Sequence, residues 1–190
     1  MIDDWQIGSG TVYWITGLSG AGKTTIGRHL WQLLKEQNPA TVFLDGDALR
    51  KVFSPSGYSL EERLVLGMQY SRLCQMLSLQ NIDVVCATIA MFHQIHRWNR
   101  NNIENYFETY LSVPMEILVN RHPKDLYRRA QTGQIQNVYG VDLPFEEPEH
   151  PDVVIQNEGH QDPEDIARRI IALKKDLMSS TVASYLPSHH

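Results

Sequence analysis

Short apolar runs alternate with segments of helical spacing along most of the chain. Val12-Tyr13-Trp14-Ile15, Thr41-Val42-Phe43-Leu44, Ile82–Ala87, Tyr106–Val113 and Asp152-Val153-Val154-Ile155 are short and β-prone, and each reads as a buried strand. Between the first two, Ile26, Leu30, Leu33 and Leu34 predict a helix over about 23–37, closed by Asn38-Pro39. Leu66, Tyr70, Leu73 and Leu77 predict another from Leu60 to Gln80. A polar helix follows over about 93–104, and Pro114 opens a short one, where its missing N–H is no loss. Asp162-Pro163-Glu164-Asp165 starts the last helix, with Asp162 as cap and Ile166, Ile170, Leu173 and Leu177 as its apolar face.

Strands alternating with helices imply a parallel sheet covered on both faces. The expected architecture is therefore a three-layer α/β fold, a five-stranded parallel sheet in a single domain over residues 1–190. Residues 1–10 read as a lead-in and 179–190 as a flexible tail. Phe53–Ser59, with Pro55 and Gly57, reads as loop. Residues 121–150, charged and broken by prolines, read as a loop-rich insertion forming a lid and substrate loop.

One stretch assigns chemistry to this frame. Gly17-Leu18-Ser19-Gly20-Ala21-Gly22-Lys23-Thr24 fits G-x-x-x-x-G-K-[ST], the phosphate loop of nucleoside-triphosphate-binding proteins. Its glycines let successive N–H groups turn inward towards phosphate oxygens. Lys23 is placed to reach the β- and γ-phosphates, and the Thr24 hydroxyl to hold Mg²⁺. A glycine-rich turn without a ligand is the plain alternative. The strand before the loop and the helix after it favour the phosphate reading. Ligands of such sheets sit beyond the carboxyl ends of the strands, so the loop, Asp45–Asp47 and the segment after Ala87 should surround one crevice.

Charge and composition narrow the partners. Net charge is −5, which gives no global electrostatic case for nucleic acid. No apolar run approaches membrane-spanning length, and the acidic start Met1-Ile2-Asp3-Asp4-Trp5 lacks a signal-peptide core. Cys74 and Cys86 lie in apolar stretches and read as buried thiols, which with the rest implies a soluble cytoplasmic protein. His93 and His96 lack the companions of a zinc site, and Trp14 and Trp31 read as core.

Asp45-Gly46-Asp47 closes the second strand, with Arg50 one helical turn on. Beside a triphosphate, one acid can accept the proton of an attacking hydroxyl or organise Mg²⁺, while Arg50 grips an anionic acceptor. A solvated Asp-Gly turn is the alternative. Residues 121–133 carry four Arg or Lys and read either as a closing lid or as an exposed basic helix.

Together these motifs resemble the adenylylsulfate kinases from about Thr11 to Asn157. The likeness is carried by Gly17–Thr24, by Leu44-Asp45-Gly46-Asp47 with Arg50, and by Pro123-Lys124-x-Leu126-Tyr127. It is completed by Gly140-Val141-Asp142-x-Pro144-Phe145-Glu146-x-Pro148. The resemblance implies transfer of the γ-phosphoryl of ATP to the ribose 3′-hydroxyl of a 5′-modified nucleotide, with Mg²⁺. It implies Lys23, Asp45 and Lys124 as catalytic, and Gly17 to Thr24 with Thr25 and Arg128 as ATP-binding, Arg129 lying close by. Asp45, Asp47, Arg50, Tyr58, Arg63, Ile89, Lys124 and Val138 fall on the acceptor side, and Thr24 and Asp45 on the metal. Such kinases are commonly homodimers.

The departures lie on the acceptor side. Leu66 stands where the family has Asn, Met68-Gln69 replace an Arg pair, and Thr88-Ile89-Ala90-Met91 replaces Phe-Ile-Ser-Pro. Ala90 has no hydroxyl to phosphorylate. The two Phe that clamp the acceptor's adenine become Tyr58 and Val138, removing one stacking face. That pattern is similar to a divergent branch, the cytidine diphosphoramidate kinases, in Val85-Cys86-Ala87, Phe92-His93, Arg97–Arg100, Asn105–Glu108 and Asn137-Val138. A true adenylylsulfate kinase and a nucleotide-binding pseudokinase are the alternatives. A GTPase-like switch lacks its Asn-Lys-x-Asp base reader.

Overall fold

The middle of the sheet is β1 (Val12–Thr16), whose five residues are all buried. Val12 and Trp14 pack into one apolar core and Tyr13 and Ile15 into the other, the two-residue alternation of a strand covered on both faces. This computed structural model describes residues 9–54, 57–121 and 125–184. Pro123 and Lys124 therefore lie outside the described residues, as do residues 1–8 of the lead-in and 185–190 of the tail.

Around β1 stand β2 (Val42–Asp45), β3 (Val84–Ala87), β4 (Tyr106–Ser112) and β5 (Val153–Gln156), all parallel, in the order β2-β3-β1-β4-β5. The expected α/β fold of five parallel strands between helical layers is the observed one. The first core is covered by α1 (Lys23–Gln37) through Ile26, Leu30 and Leu34, and by the last helix through Ile166, Ala167 and Ile170. The second is closed by Leu49 of α2 (Gly46–Phe53), by Leu66, Tyr70 and Cys74 of α3 (Leu60–Ser78) and by Ile95 of α4 (His93–Asn102). After β4 come α5 (Met115–Arg121) and α6 (Leu126–Gln131), and after β5 comes α7 (Pro163–Ser184).

Three elements depart from the sequence reading. The Asp-Gly turn continues as helix α2, because the Asp45 side chain caps it by accepting from the amides of Asp47 and Ala48. Residues 121–150 are not wholly loop: α6 sits inside them, anchored by buried Tyr127 and Ala130. Residues 179–184 of the expected flexible tail continue α7, whose sequence holds no Gly or Pro after Pro163 to stop it. α3 begins with a capping box, Ser59 and Glu62 each serving the other's backbone amide.

A polar cluster around buried Glu108 and His96 joins α4 to the sheet. Arg100 donates to both carboxylate oxygens of Asp152 (3.2 and 3.0 Å) and to Glu108 Oε2 (3.3 Å). Glu108 is 2% exposed, and burial pushes its carboxyl up to about 7 against the pull of Arg100. Beside it, 3.4 Å away, burial draws His96 down to about 4. Around pH 6 both groups are therefore neutral, and their contact is not an ion pair.

The folded Glu108 carboxyl holds its proton to higher pH than the unfolded one, so its contribution falls as pH rises through about 4.5 to 7. Glu108→Gln removes that titration while His96 stays common to both proteins. In urea unfolding, wild-type stability relative to Glu108→Gln should fall by up to about 3 kcal/mol from pH 5 to pH 8.

Candidate active site

The loop between β1 and α1 has its backbone bent where only glycine is unstrained. Gly22 adopts φ 95°, and a Cβ there would stand 2.7 Å from Asn157 Nδ2. That amide donates to Ala21 O (2.9 Å), so the residue after β5 holds the turn from below. Tyr127 of α6 holds it from the lid side, its hydroxyl donating to Ser19 O (2.7 Å). α1 then starts at Lys23 with no side-chain cap and no acid in its first turn. Its open amides and positive dipole end face the loop's concavity, the arrangement that receives an anion.

Lys23 Nζ donates to Leu18 O (2.8 Å) across the loop. Burial pulls its ammonium down to about 8, against the upward pull of Asp47 and Asp45. Thr24 Oγ1 donates to Asp45 Oδ2 (2.6 Å), while Asp45 Oδ1 accepts from the amides of Asp47 (3.0 Å) and Ala48 (3.3 Å). One carboxylate thus spans the phosphate loop and the start of α2. Thr24 and Asp45 offer hard oxygens side by side, a donor set that suits Mg²⁺, which binds through one or two protein oxygens together with substrate phosphates.

These groups open onto a cleft of about 910 Å³ at the carboxyl ends of the strands. Ser19, Gly20, Gly22, Lys23, Thr24 and Thr25 line its triphosphate end. Gly17 shapes the loop's first bend, while Leu18 and Ala21 are buried behind it. Asp45 and Asp47 stand at the middle. Arg50, Tyr58, Arg63, Ile89 and Val138 line the far end. Arg128 is turned elsewhere: it faces Asn120 and Asp125 at the surface, and its neighbour Arg129 lines the cleft instead.

The far end is built from stacked cations and phenols. The Arg50 guanidinium lies 3.7 Å over the Tyr58 ring and donates to Gly57 O. Arg63 lies 5.4 Å from the same ring and 4.6 Å over Tyr139. Tyr70 closes the floor, its hydroxyl donating to Gly46 O (3.3 Å). Asp142 shapes the opposite wall by accepting from the amides of Asn137 (2.5 Å) and Val138 (2.6 Å). Sequence reasoning missed Asn157 and Tyr139. Asn157 could have been found as the residue leaving β5 at the sheet edge beside the loop. Tyr139 carried no local signal, since its role arises from Arg63, 76 positions earlier.

A parallel α/β sheet with this loop, lysine and hydroxyl at its carboxyl edge defines a P-loop nucleotide-binding protein. The sequence pattern of the adenylylsulphate kinase family matches residues 9–156, and the chain belongs to that family and is a phosphotransferase. It is 38% identical over 146 residues to the cytidine diphosphoramidate kinase of Campylobacter jejuni, covering 77% of this chain and 85% of that one. It is 37% identical over 164 residues to the adenylyl-sulfate kinase of Pseudomonas aeruginosa, covering 85% and 83%. The Mycobacterium tuberculosis APS kinase in complex with AMPPNP and APS superposes with a TM-score of 0.80 at 26% identity, covering 88% and 98%. Among the described residues no helix is long and apolar enough to cross a membrane.

Lys23 supplies a pH test of the triphosphate end. Its ammonium is present below about 8 and lost above it, so affinity for a non-hydrolysable ATP analogue should fall about tenfold per pH unit above 8. Isothermal titration between pH 7 and 9.5 measures this, and Lys23→Arg should flatten the profile.

Proposed function

We propose that this protein transfers the γ-phosphoryl of ATP to the ribose 3′-hydroxyl of a 5′-modified nucleotide, with cytidine 5′-diphosphoramidate as acceptor. The observation that carries the reading is the Asp45 carboxylate, held within 2.6 Å of the Thr24 hydroxyl at the boundary between the two ends of the cleft. A sugar hydroxyl lying over Asp45 would face the outermost phosphorus of a triphosphate seated in the loop.

In this reading the 3′-oxygen forms the new bond to phosphorus while the bond from the γ-phosphorus to the β,γ-bridging oxygen breaks. The hydroxyl proton passes to Asp45 Oδ2, and ADP carries away the displaced electron pair. Asp45 Oδ1, tied to two amides of α2, keeps the carboxylate from swinging away. Lys23 and the open amides of α1 spread charge from the transferring group. Mg²⁺, held by Thr24 with Asp45 in its surroundings, would neutralise the phosphates and fix their orientation. Lys124 completes the set as a cation of the closing segment.

The acceptor choice rests on the far end of the cleft. Val138 offers an aliphatic face where a stacking ring would grip a purine, and Leu66 and Ala90 line the same cleft without a polar side-chain group. The identity to the Campylobacter jejuni enzyme supports the same choice. Adenylylsulfate is the second reading, favoured by the superposition on a kinase solved with APS.

Coupled ADP release with the two acceptors side by side decides between them. Cytidine 5′-diphosphoramidate should turn over faster, and faster turnover of adenylylsulfate would reverse the assignment. Asp45→Asn should bind ATP with little change while kcat falls about 10²- to 10⁴-fold. Normal turnover by that variant would remove Asp45 from its role.

A further inference from the structure

Arg63 is the most constrained cation of the acceptor end. Nε donates to Tyr58 O (2.8 Å) and Nη2 to Asn137 O (2.7 Å), so the guanidinium bridges the two walls of the cleft. The rings of Tyr58 and Tyr139 pack against it. Its plane is therefore fixed by four contacts before any acceptor arrives. An arginine carries five N–H donors. Two are committed to carbonyls, and the others, on Nη1 and Nη2, belong to a residue that lines the cavity.

Among the described residues no carboxylate lies within ion-pair distance of Arg63. Burial pushes the Tyr139 phenol up to about 12, so it stays protonated at neutral pH. Asp142, the acid nearest in effect, spends its carboxylate on the amides of Asn137 and Val138. With two N–H groups given to carbonyls and one directed at the Tyr139 phenol, the guanidinium keeps two, which can match two acceptor atoms side by side.

Nucleobases differ in whether they present such a pair. Cytosine does, at O2 and N3, and guanine does, at O6 and N7. Adenine alternates acceptor and donor along each edge, and uracil places N3–H between its two carbonyls. We propose that Arg63 selects the acceptor's base by donating both N–H groups to O2 and N3 of cytosine, with Tyr58 and Tyr139 holding the guanidinium in plane. The proposal rests on the diphosphoramidate reading above. It adds the residue that separates cytidine from adenosine and uridine.

The test alters each side of the contact in turn. Wild type, Arg63→Lys and Arg63→Met are compared by ADP release with cytidine 5′-diphosphoramidate, its 3-deaza analogue, and the adenosine and uridine counterparts. Wild type should lose about tenfold or more in kcat/KM on the 3-deaza analogue and on uridine. In Arg63→Met the parent and 3-deaza acceptors should become equal, with the loss mainly in KM. Arg63→Lys should recover little, since an ammonium has no fork. ATP-analogue affinity should be unchanged in both variants.

A parent-to-deaza ratio that persists in Arg63→Met would overturn the proposal. So would an equal fall for all four acceptors, which would leave Arg63 as a strut between loops. Turnover of the diphosphoramidates without base preference sinks the base reading and leaves the proposed reaction standing. Turnover of adenylylsulfate with no diphosphoramidate accepted overturns both, since adenine lacks the adjacent pair.

Discussion

The carboxylate of Asp45 ties this molecule together. It ends β2, caps α2 through two amides, and accepts a hydrogen bond from the Thr24 hydroxyl at the start of α1. A single side chain thereby couples a strand and two helices at the middle of the cleft. Its position follows from the sheet: β2 is the edge strand beside β3, and β3 pairs with β1, whose end carries the phosphate loop. The distance between carboxylate and hydroxyl is thus set by two strand pairings, which are stiff, and not by a loop.

The two ends of the cleft are built by different means. The triphosphate end is backbone: open helix amides, glycine-permitted bends, and carbonyls held from behind by Asn157 and Tyr127. Backbone donors recognise phosphate whatever nucleoside carries it, so this end can stay constant while the acceptor changes. The acceptor end is side chains drawn from four separated segments, with Arg50 and Arg63 stacked among Tyr58 and Tyr139. Each of these side chains can be exchanged without disturbing the sheet, and the proposed acceptor choice rests on them.

The polar cluster of Arg100, Glu108, Asp152 and His96 fastens α4 to β4 and β5. The same helix begins at His93, whose ring meets Glu147 O (2.8 Å) on the segment that follows the acceptor wall. The wall therefore leans on a helix whose footing includes a buried acid that is neutral below about 7. Burying these groups has a cost, and the Arg100–Asp152 pair offsets part of it through two hydrogen bonds rather than one.

Local chemistry was enough for much of this. Alternation of β-prone runs with helical spacing determines the parallel sheet, because such strands hide both faces only between helices. Gly17–Thr24 determines the triphosphate end, since its function is a property of one contiguous backbone turn. That Asp45 would line the cleft was legible because a strand's last residue sits at the mouth of such a sheet, and Arg50 follows it by one helical turn. Tertiary structure decided the rest. That Arg129 and not Arg128 lines the cleft depends on packing, which no local window contains. Arg63 acquires its fixed plane from Tyr58, Asn137 and Tyr139, residues brought to it by the closing of the sheet. A contact between residues some 75 positions apart exists only once the chain is folded, and so the acceptor end belongs to the fold and the phosphate end to the sequence.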